Sequence, residues 1–267
     1  MIERWNDRRN DIKRMFSYEP DGCFVAEING EPAGHVFSIS YGKLGWIGFL
    51  IVEPKYRRKG VGTLLTKKAI DYLLNCGVKT IKLEAVSTIA NLYRELGFVN
   101  EFDSLRFTRF WGEKDMSLLS SCVNPLKKEE IRELAKFDAE YFGANRIRVL
   151  MRLYDYNPKL SYVSHVKSEI TGYIMCRKAE IGYRVGPWVC NSEHPQAAQE
   201  LLMKCMKTMG HDEKFYVGVP AVNKKAVEIL HDLNFKQYSK SIRMYFGKKL
   251  QTECIDGIFA ISGPEKG

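Results

Sequence analysis

At 267 residues, 45% hydrophobic and 27% charged, the chain is long enough for two ordinary domains, each with its own core. It contains no apolar run of the ~18–20 residues that span a bilayer, and Met1-Ile2-Glu3-Arg4-Trp5-Asn6-Asp7-Arg8-Arg9 lacks the apolar stretch of a secretory signal. The net charge of +9 suits an anionic partner, but the basic residues are scattered and no nucleic-acid-binding motif is present, so a phosphate-rich cofactor is preferred to nucleic acid.

Three strands open the chain: Cys23 to Ile28, Pro32 to Ser40 and Trp46 to Val52, with Asn29-Gly30 as a tight hairpin turn. Glu53-Pro54 stops the third strand. A glycine-bearing loop then enters a helix from Val61 to Asn75, whose apolar positions Val61, Leu64, Leu65, Ala69 and Leu73 recur at helical spacing and which Gly77 ends. A buried strand from Thr80 to Val86, a short helix from Ala90 to Leu96 and a closing strand from Arg106 to Trp111 follow. Gly112-Glu113-Lys114-Asp115 reads as a linker.

Beyond it the order of elements repeats. Helices are expected over Glu130 to Ala139 and Arg146 to Tyr154. A hairpin (Leu160 to Val166, Glu169 to Arg177) and a strand (Ile181 to Val189) come next. A helix from Pro195 to Met209, a strand from Phe215 to Val219, a helix from Lys224 to Leu233 and a strand over Ser241 to Phe246 complete the copy. Leu96-Gly97-Phe98 is echoed by Leu233-Asn234-Phe235. With only 22 residues before Cys23, the first copy is expected to lack an opening strand and helix.

The seven cysteines form no C-x-x-C pair and are odd in number, which points to single thiols in a reducing, cytoplasmic setting. The five histidines have no metal-ligand spacing with them, and no metal site is expected.

The chemistry concentrates between Phe49 and Leu74. Gly60 and Gly62 carry no side chains, so loop amides can close on a ligand, and the following helix start adds partial positive charge. Arg57, Arg58 and Lys59 add full charges. The result is a pyrophosphate cradle that is neither a Walker loop nor a dinucleotide fingerprint.

The string Gly48-Phe49-Leu50-Ile51-Val52-Glu53-Pro54-Lys55-Tyr56-Arg57-Arg58-Lys59-Gly60-Val61-Gly62-Thr63-Leu64-Leu65 resembles motif A of the GNAT superfamily of N-acetyltransferases. Leu92-Tyr93-Arg94-Glu95-Leu96-Gly97-Phe98 resembles its motif B, in the right order and spacing. Leu83-Glu84-Ala85, Phe142-Gly143-Ala144-Asn145-Arg146, Arg243-Met244-Tyr245-Phe246-Gly247 and the tail near Ile261-Ser262-Gly263-Pro264-Glu265 are similar to a subgroup with two tandem GNAT-like domains.

The resemblance implies an α/β fold of layered α+β type: two tandem domains, each a mixed central sheet flanked by helices. Domain one would span 1–112 and bind acetyl-CoA. Residues 113–125 would be linker and first strand of the second domain, and 126–267 a degenerate second domain with a tail. It further implies N-acetyl transfer to a primary amine by direct attack in a ternary complex. Backbone groups of Leu50, Ile51 and Val52 would hold the acetyl carbonyl and pantetheine. Arg57, Arg58, Lys59, Gly60, Val61, Gly62 and Thr63 would hold the pyrophosphate, and Tyr93 would protonate the departing thiolate. The asparagine common seven residues before that tyrosine is Val86 here, with Asn91 as a substitute. A base is needed for the amine, and Glu84 is the first choice, with Glu53 behind it.

The second copy has Cys190-Asn191-Ser192-Glu193-His194-Pro195 in place of the cradle and Leu230 in place of the tyrosine, so it is expected to wall the acceptor cleft or complete a pseudo-dimer. The acceptor is a small-molecule or protein amine, with no nucleic acid or membrane partner, and the chain acts as a monomer with an internal pseudo-dimer or as a homodimer. A non-catalytic acetyl-CoA sensor or scaffold and a basic nucleic-acid binder are the alternatives.

Overall fold

The computed structural model describes residues 9–112, 123–210, 212–250 and 252–267. Most of the expected linker, with Cys122, lies outside the described residues. The chain forms two compact units whose borders do not follow a single cut: unit 1 comprises Met1–Glu101, Ile242–Gln251 and Pro264–Gly267, and unit 2 comprises Phe102–Ser241 and Thr252–Gly263.

Unit 1 opens with α1 (Arg9–Tyr18). This corrects the expectation that the first copy lacks its opening helix, and the residues before Arg9 lie outside the described ones. Ile12, Met15 and Phe16 stand at helical spacing, and Met15 and Tyr18 are buried. The strands β1 (Cys23–Ile28), β2 (Glu31–Tyr41) and β3 (Leu44–Val52) form an antiparallel meander. At its first turn Asn29 and Gly30 both take positive φ, 53° and 79°, as a two-residue hairpin with this dipeptide requires. Helix α2 (Val61–Asn75) crosses to β4 (Thr80–Ala85), and α3 (Ala90–Glu95) leads to the start of β5 (Val99–Trp111). The sheet is completed by residues Ile242 to Gly247 of β11 (Lys236–Gly247), antiparallel to β4.

Val61, Leu65, Ala69, Ile70 and Leu73 of α2 pack on Ala33, Val36, Ile47, Ile81 and Leu83 of the sheet. Leu64, counted on the apolar face from the sequence, is 67% exposed. Gly77 ends α2 with φ 82°, the left-handed conformation a helix C-terminus favours.

Unit 2 continues β5 and adds β6 (Val123–Pro125), α4 (Ile131–Phe142), α5 (Ile147–Tyr156), β7 (Ser161–Val166), β8 (Glu169–Lys178) and β9 (Tyr183–Cys190). Then come α6 (Pro195–Met209), β10 (Glu213–Pro220), α7 (Lys224–Asp232) and β12 (Ile258–Ala260). Its strand order is β6-β7-β8-β9-β10-β5. The order β7-β8-β9-α6-β10-α7 repeats β1-β2-β3-α2-β4-α3, as the sequence indicates. A buried network fixes the Phe142–Arg146 segment: Arg146 donates to both oxygens of Asp138 at 2.8 Å and to Ser262 Oγ at 3.0 Å, and the Tyr173 hydroxyl donates to Asp138.

Cys176 on β8 and Cys205 on α6 bring their sulfur atoms together in the unit 2 core, with Cα atoms 7.2 Å apart. That separation exceeds the span of an undistorted disulfide, and Cys23, Cys76, Cys190 and Cys254 are free thiols.

Candidate active site in unit 1

The site arises where two parallel strands part. β3 and β4 pair only over Leu44–Trp46 and Thr80–Lys82. Beyond Trp46 the backbone of β3 has no ladder partner on the β4 side. On its other side the register with β2 slips: Phe37 faces Gly48, but His35 faces Ile51, so Phe49 and Leu50 together oppose Val36. This bulge puts Phe49 at φ 50° and releases backbone groups next to the opening.

A cleft of roughly 460 Å³ fills the gap. Ile47 through Val52 form one wall, Leu83, Glu84 and Val86 the other, and Ile89, Leu92 and Tyr93 close it from α3. Arg57, Arg58, Gly60, Gly62 and Thr63 stand at the mouth. The loop is held by its own geometry. Arg57 Nε donates to the carbonyl of Val52 at 3.0 Å, Arg58 takes φ 60° and Gly60 φ 81°. Helix α2 begins its hydrogen bonding with the Leu64 amide on the Gly60 carbonyl at 3.0 Å. The preceding amides, Gly60 to Thr63, are thus the first-turn donors that a helix cannot satisfy internally, and they carry its positive pole.

Gly62 is informative. A Cβ there would meet Leu92 at 3.5 Å, Val52 at 3.7 Å and Leu50 at 3.9 Å, all ordinary contacts, and its φ is unremarkable for any residue. The fold itself tolerates a side chain at this position.

Tyr93 is 5% exposed and packs edge-on against Phe98 at 5.8 Å between centroids. Burial raises the phenol well above its ordinary value, so it keeps its proton throughout the neutral range. Glu84 also faces the cleft, but its Oε1 accepts from Arg243 Nε at 2.6 Å, and both side chains are buried. The Arg243 guanidinium in turn lies 4.6 Å from the Trp46 ring centroid. That carboxylate is committed to a structural pair.

Of the residues singled out from sequence, Leu50, Ile51, Val52, Arg57, Arg58, Gly60, Gly62, Thr63, Glu84 and Tyr93 line the cleft. Lys59 is exposed with its ammonium 5.7 Å from the Tyr56 ring, and the Val61 side chain points into the core, leaving only its amide for a ligand. Asn91 is exposed and accepts from Arg94 Nη1 at 2.6 Å, away from the lining, and Glu53 is likewise exposed and outside it.

A GNAT-family acetyltransferase model matches residues 1–98, and a second acetyltransferase (GNAT) domain model matches 134–260. An acetyltransferase of Pectobacterium atrosepticum is 31% identical over 101 residues, which are 37% of this chain and 72% of that protein. The chain belongs to the GNAT acetyltransferase family.

Over nearly its whole length this GNAT chain is similar to a holothin acyltransferase of a Pseudoalteromonas strain, 23% identical across 95% of the chain and 84% of that protein. A crystal structure of a candidate acetyltransferase from Pyrococcus horikoshii superimposes with a TM-score of 0.80 at 27% identity, covering 96% of this chain and 84% of that one. A tandem GNAT protein from the clavulanic acid biosynthesis pathway shares the fold, with a TM-score of 0.59 at 13% identity, covering 90% and 88% of the two chains. The protein is thus a tandem GNAT acyltransferase.

Pro264 and Glu265, part of the tail likened to tandem GNAT proteins from sequence but not assigned to the site, also line the cleft. Their place is fixed by Trp46 Nε1 donating to the Pro264 carbonyl at 3.0 Å and Tyr41 donating its hydroxyl to the Lys266 carbonyl at 2.9 Å. Besides the tail motif itself, Gly48 was a signal, an unexplained glycine inside an apolar strand. A Cβ at Gly48 would lie 2.4 Å from the Glu265 Cα. Among the described residues no helix is long and apolar enough to cross a membrane, and no cluster of three or more His, Cys, Asp or Glu is arranged to hold a metal ion.

Proposed function

We propose that the chain is an acetyl-CoA-dependent N-acetyltransferase acting on a primary amine, with its coenzyme site in the unit 1 cleft. The observation that carries the proposal is the glycine at position 62, whose Cβ the protein could accommodate, set among first-turn amides and two arginines. An acyl-CoA pyrophosphate is the ligand class that needs such bare, convergent N–H donors at a helix start.

The bound coenzyme would supply an acetyl group activated as a thioester. Amides of Gly60 to Thr63, with Arg57 and Arg58, would bind its phosphates. Backbone groups of Leu50 and the Val52 N–H, beyond the point where β3 parts from β4, would align the pantetheine arm as an added strand edge. The Leu50 N–H would donate to the carbonyl oxygen as it gains negative charge, an effect of about 10²–10³-fold for one such donor. Tyr93 holds the proton that its hydroxyl would pass to the leaving sulfur, and its burial excludes water from that step.

The test is calorimetric titration with acetyl-CoA, followed by a panel of primary amines with thiol release as the readout. Binding at one site together with amine-dependent release is expected. Binding without release from any amine would instead make the protein a coenzyme sensor.

A further inference from the structure

The charges that face the cleft can be followed element by element. Strand β3 brings only apolar side chains and Gly48 between Ile47 and Val52. Arg57 and Arg58 stand at the mouth, where coenzyme phosphates would neutralise them. Strand β4 brings Glu84, whose Oε1 accepts from Arg243 Nε at 2.6 Å. The tail brings Glu265, whose Oε1 accepts from the Lys266 ammonium. None of these four paired side chains is more than 4% exposed. Helix α3 brings Tyr93, whose buried phenol keeps its proton at neutral pH. Among the described residues that line the cleft, these are the titratable groups.

Each carboxylate in the cleft is thus balanced by its own buried cation. An alkylammonium entering there would give up its hydration without gaining a counter-charge, and burying a charge on those terms is costly. Shedding the proton beforehand is also unfavourable, since a lysine-like amine is neutral only about once in 2,500 molecules at pH 7. An amine that is already uncharged meets neither obstacle. The remaining wall suits an apolar, flat acceptor. Ile47, Leu83 and Val86 line it with two aromatic rings, Tyr93 and Phe49, the latter held edge-on by Phe37 at 5.9 Å between centroids.

We infer that the acceptor is a weakly basic amine, uncharged at neutral pH, of the arylamine class, and not an alkylammonium such as a lysine side chain or a polyamine. This rests on the acetyltransferase reading above. In balance, the electron pair of the neutral nitrogen forms the N–C bond as the C–S bond breaks. Tyr93 gives its hydroxyl proton to sulfur, and the acylated nitrogen returns one proton to the phenolate. The sum is amide and free thiol, with no net proton released and no carboxylate needed to deprotonate the amine.

The experiment gives the full chain aniline and cyclohexylamine, six-membered rings of similar size that are respectively neutral and cationic at pH 7. Thiol release from acetyl-CoA reports turnover, and calorimetric titration of the protein saturated with coenzyme A reports acceptor binding. Aniline is expected to bind about tenfold more tightly or better at pH 7, and to show kcat/KM about tenfold higher or more. Its kcat/KM should stay flat from pH 7 to 9, while that of cyclohexylamine climbs about tenfold per unit as the free amine accumulates. Lys266→Gln, which takes the ammonium from Glu265, should raise cyclohexylamine relative to aniline about tenfold, and the wild-type comparison stands whether or not that variant folds. Cyclohexylamine matching aniline at pH 7, or levelling off below pH 8 as if the protein removed its proton, would overturn the inference, as would an unchanged ratio in folded Lys266→Gln. A wild-type protein that binds no acetyl-CoA, or releases thiol with neither amine nor any other, would refute the underlying reading instead, so the two failures are distinguishable.

Discussion

Ile258 pairs antiparallel with Val189, beside the point where β9 parts from β10. Those two strands are parallel only over Tyr183–Val185 and Phe215–Val217, the same three-residue pairing that precedes the open cleft of unit 1. In unit 2 the gap is filled by the chain itself: Ala260 faces Trp188, and the Ile261 amide donates to the Gly218 carbonyl at 3.0 Å. A Cβ at Gly186 would lie 2.0 Å from the Ile261 carbonyl oxygen, so glycine is needed there to admit the inserted strand.

One acetyl-CoA per chain is the expected stoichiometry. β12 occupies the backbone edge a pantetheine would use in unit 2, and Pro195 at the start of α6 removes an N–H donor from the helix that would face the phosphates. Calorimetry giving two equivalent sites would refute this.

Gly62→Ala and Gly62→Glu separate folding from binding. The alanine Cβ finds contacts of 3.5 Å or more, so its melting temperature should match wild type. Acetyl-CoA affinity should weaken about tenfold, or ~1.4 kcal/mol, because the cradle is narrowed. The glutamate, which adds like charge beside the phosphates, should abolish binding. Unchanged coenzyme affinity in both would remove the cradle from the site.

Tyr93→Phe keeps the ring contact with Phe98 and loses only the hydroxyl. A fall in kcat of about 10-fold or more is expected, with acetyl-CoA affinity unchanged. Wild-type turnover would mean that water protonates the sulfur.

A chain ending at Gly112 holds every cofactor-binding residue named from sequence yet should not fold to a binding-competent form. It lacks Ile242–Gln251, which pairs with β4 and carries the Arg243 partner of Glu84, and Pro264–Gly267, which lines the cleft. Loss of Arg243 alone leaves the Glu84 carboxylate buried without its guanidinium, a defect of about 3–5 kcal/mol. Cooperative melting and coenzyme binding by this fragment would contradict the expectation.

His35 gives unit 1 an acid-side sensitivity. Burial lowers its pKa below the ordinary 6.5, against a smaller opposing effect of the Glu53 charge. The folded state therefore holds His35 neutral. Its contribution to stability is present above the unfolded pKa and is lost as pH falls below about 6.5 and the unfolded chain takes up the proton. Urea midpoints between pH 7.5 and 5 should fall less steeply for His35→Gln than for wild type, and parallel slopes would argue against this role.

The sequence by itself determined the local parts. Asn29-Gly30, Glu53-Pro54, the Gly60–Gly62 loop and Gly77 act through backbone conformation over a few residues, so β1, the cradle and α2 could be placed with their ends. The doubling of the fold was legible in the repeated order of elements, and the position of Tyr93 in the likeness to motif B. α1 was not placed, although Ile12, Met15 and Phe16 stand at helical spacing, because a helix of 10 residues is marginal by itself and depends on burial of Met15 and Tyr18. Only the tertiary structure decided that Glu84 and Glu265 both line the cleft and that each is paired with a buried cation. Glu84 meets Arg243 across 159 residues, and Trp46 meets Pro264 across 218, pairings that no local pattern encodes. The same holds for the blocked second cleft. Ile258–Ala260 is a three-residue strand with no periodicity of its own, and it is a strand because the parted edges of β9 and β10 leave backbone groups that must be satisfied.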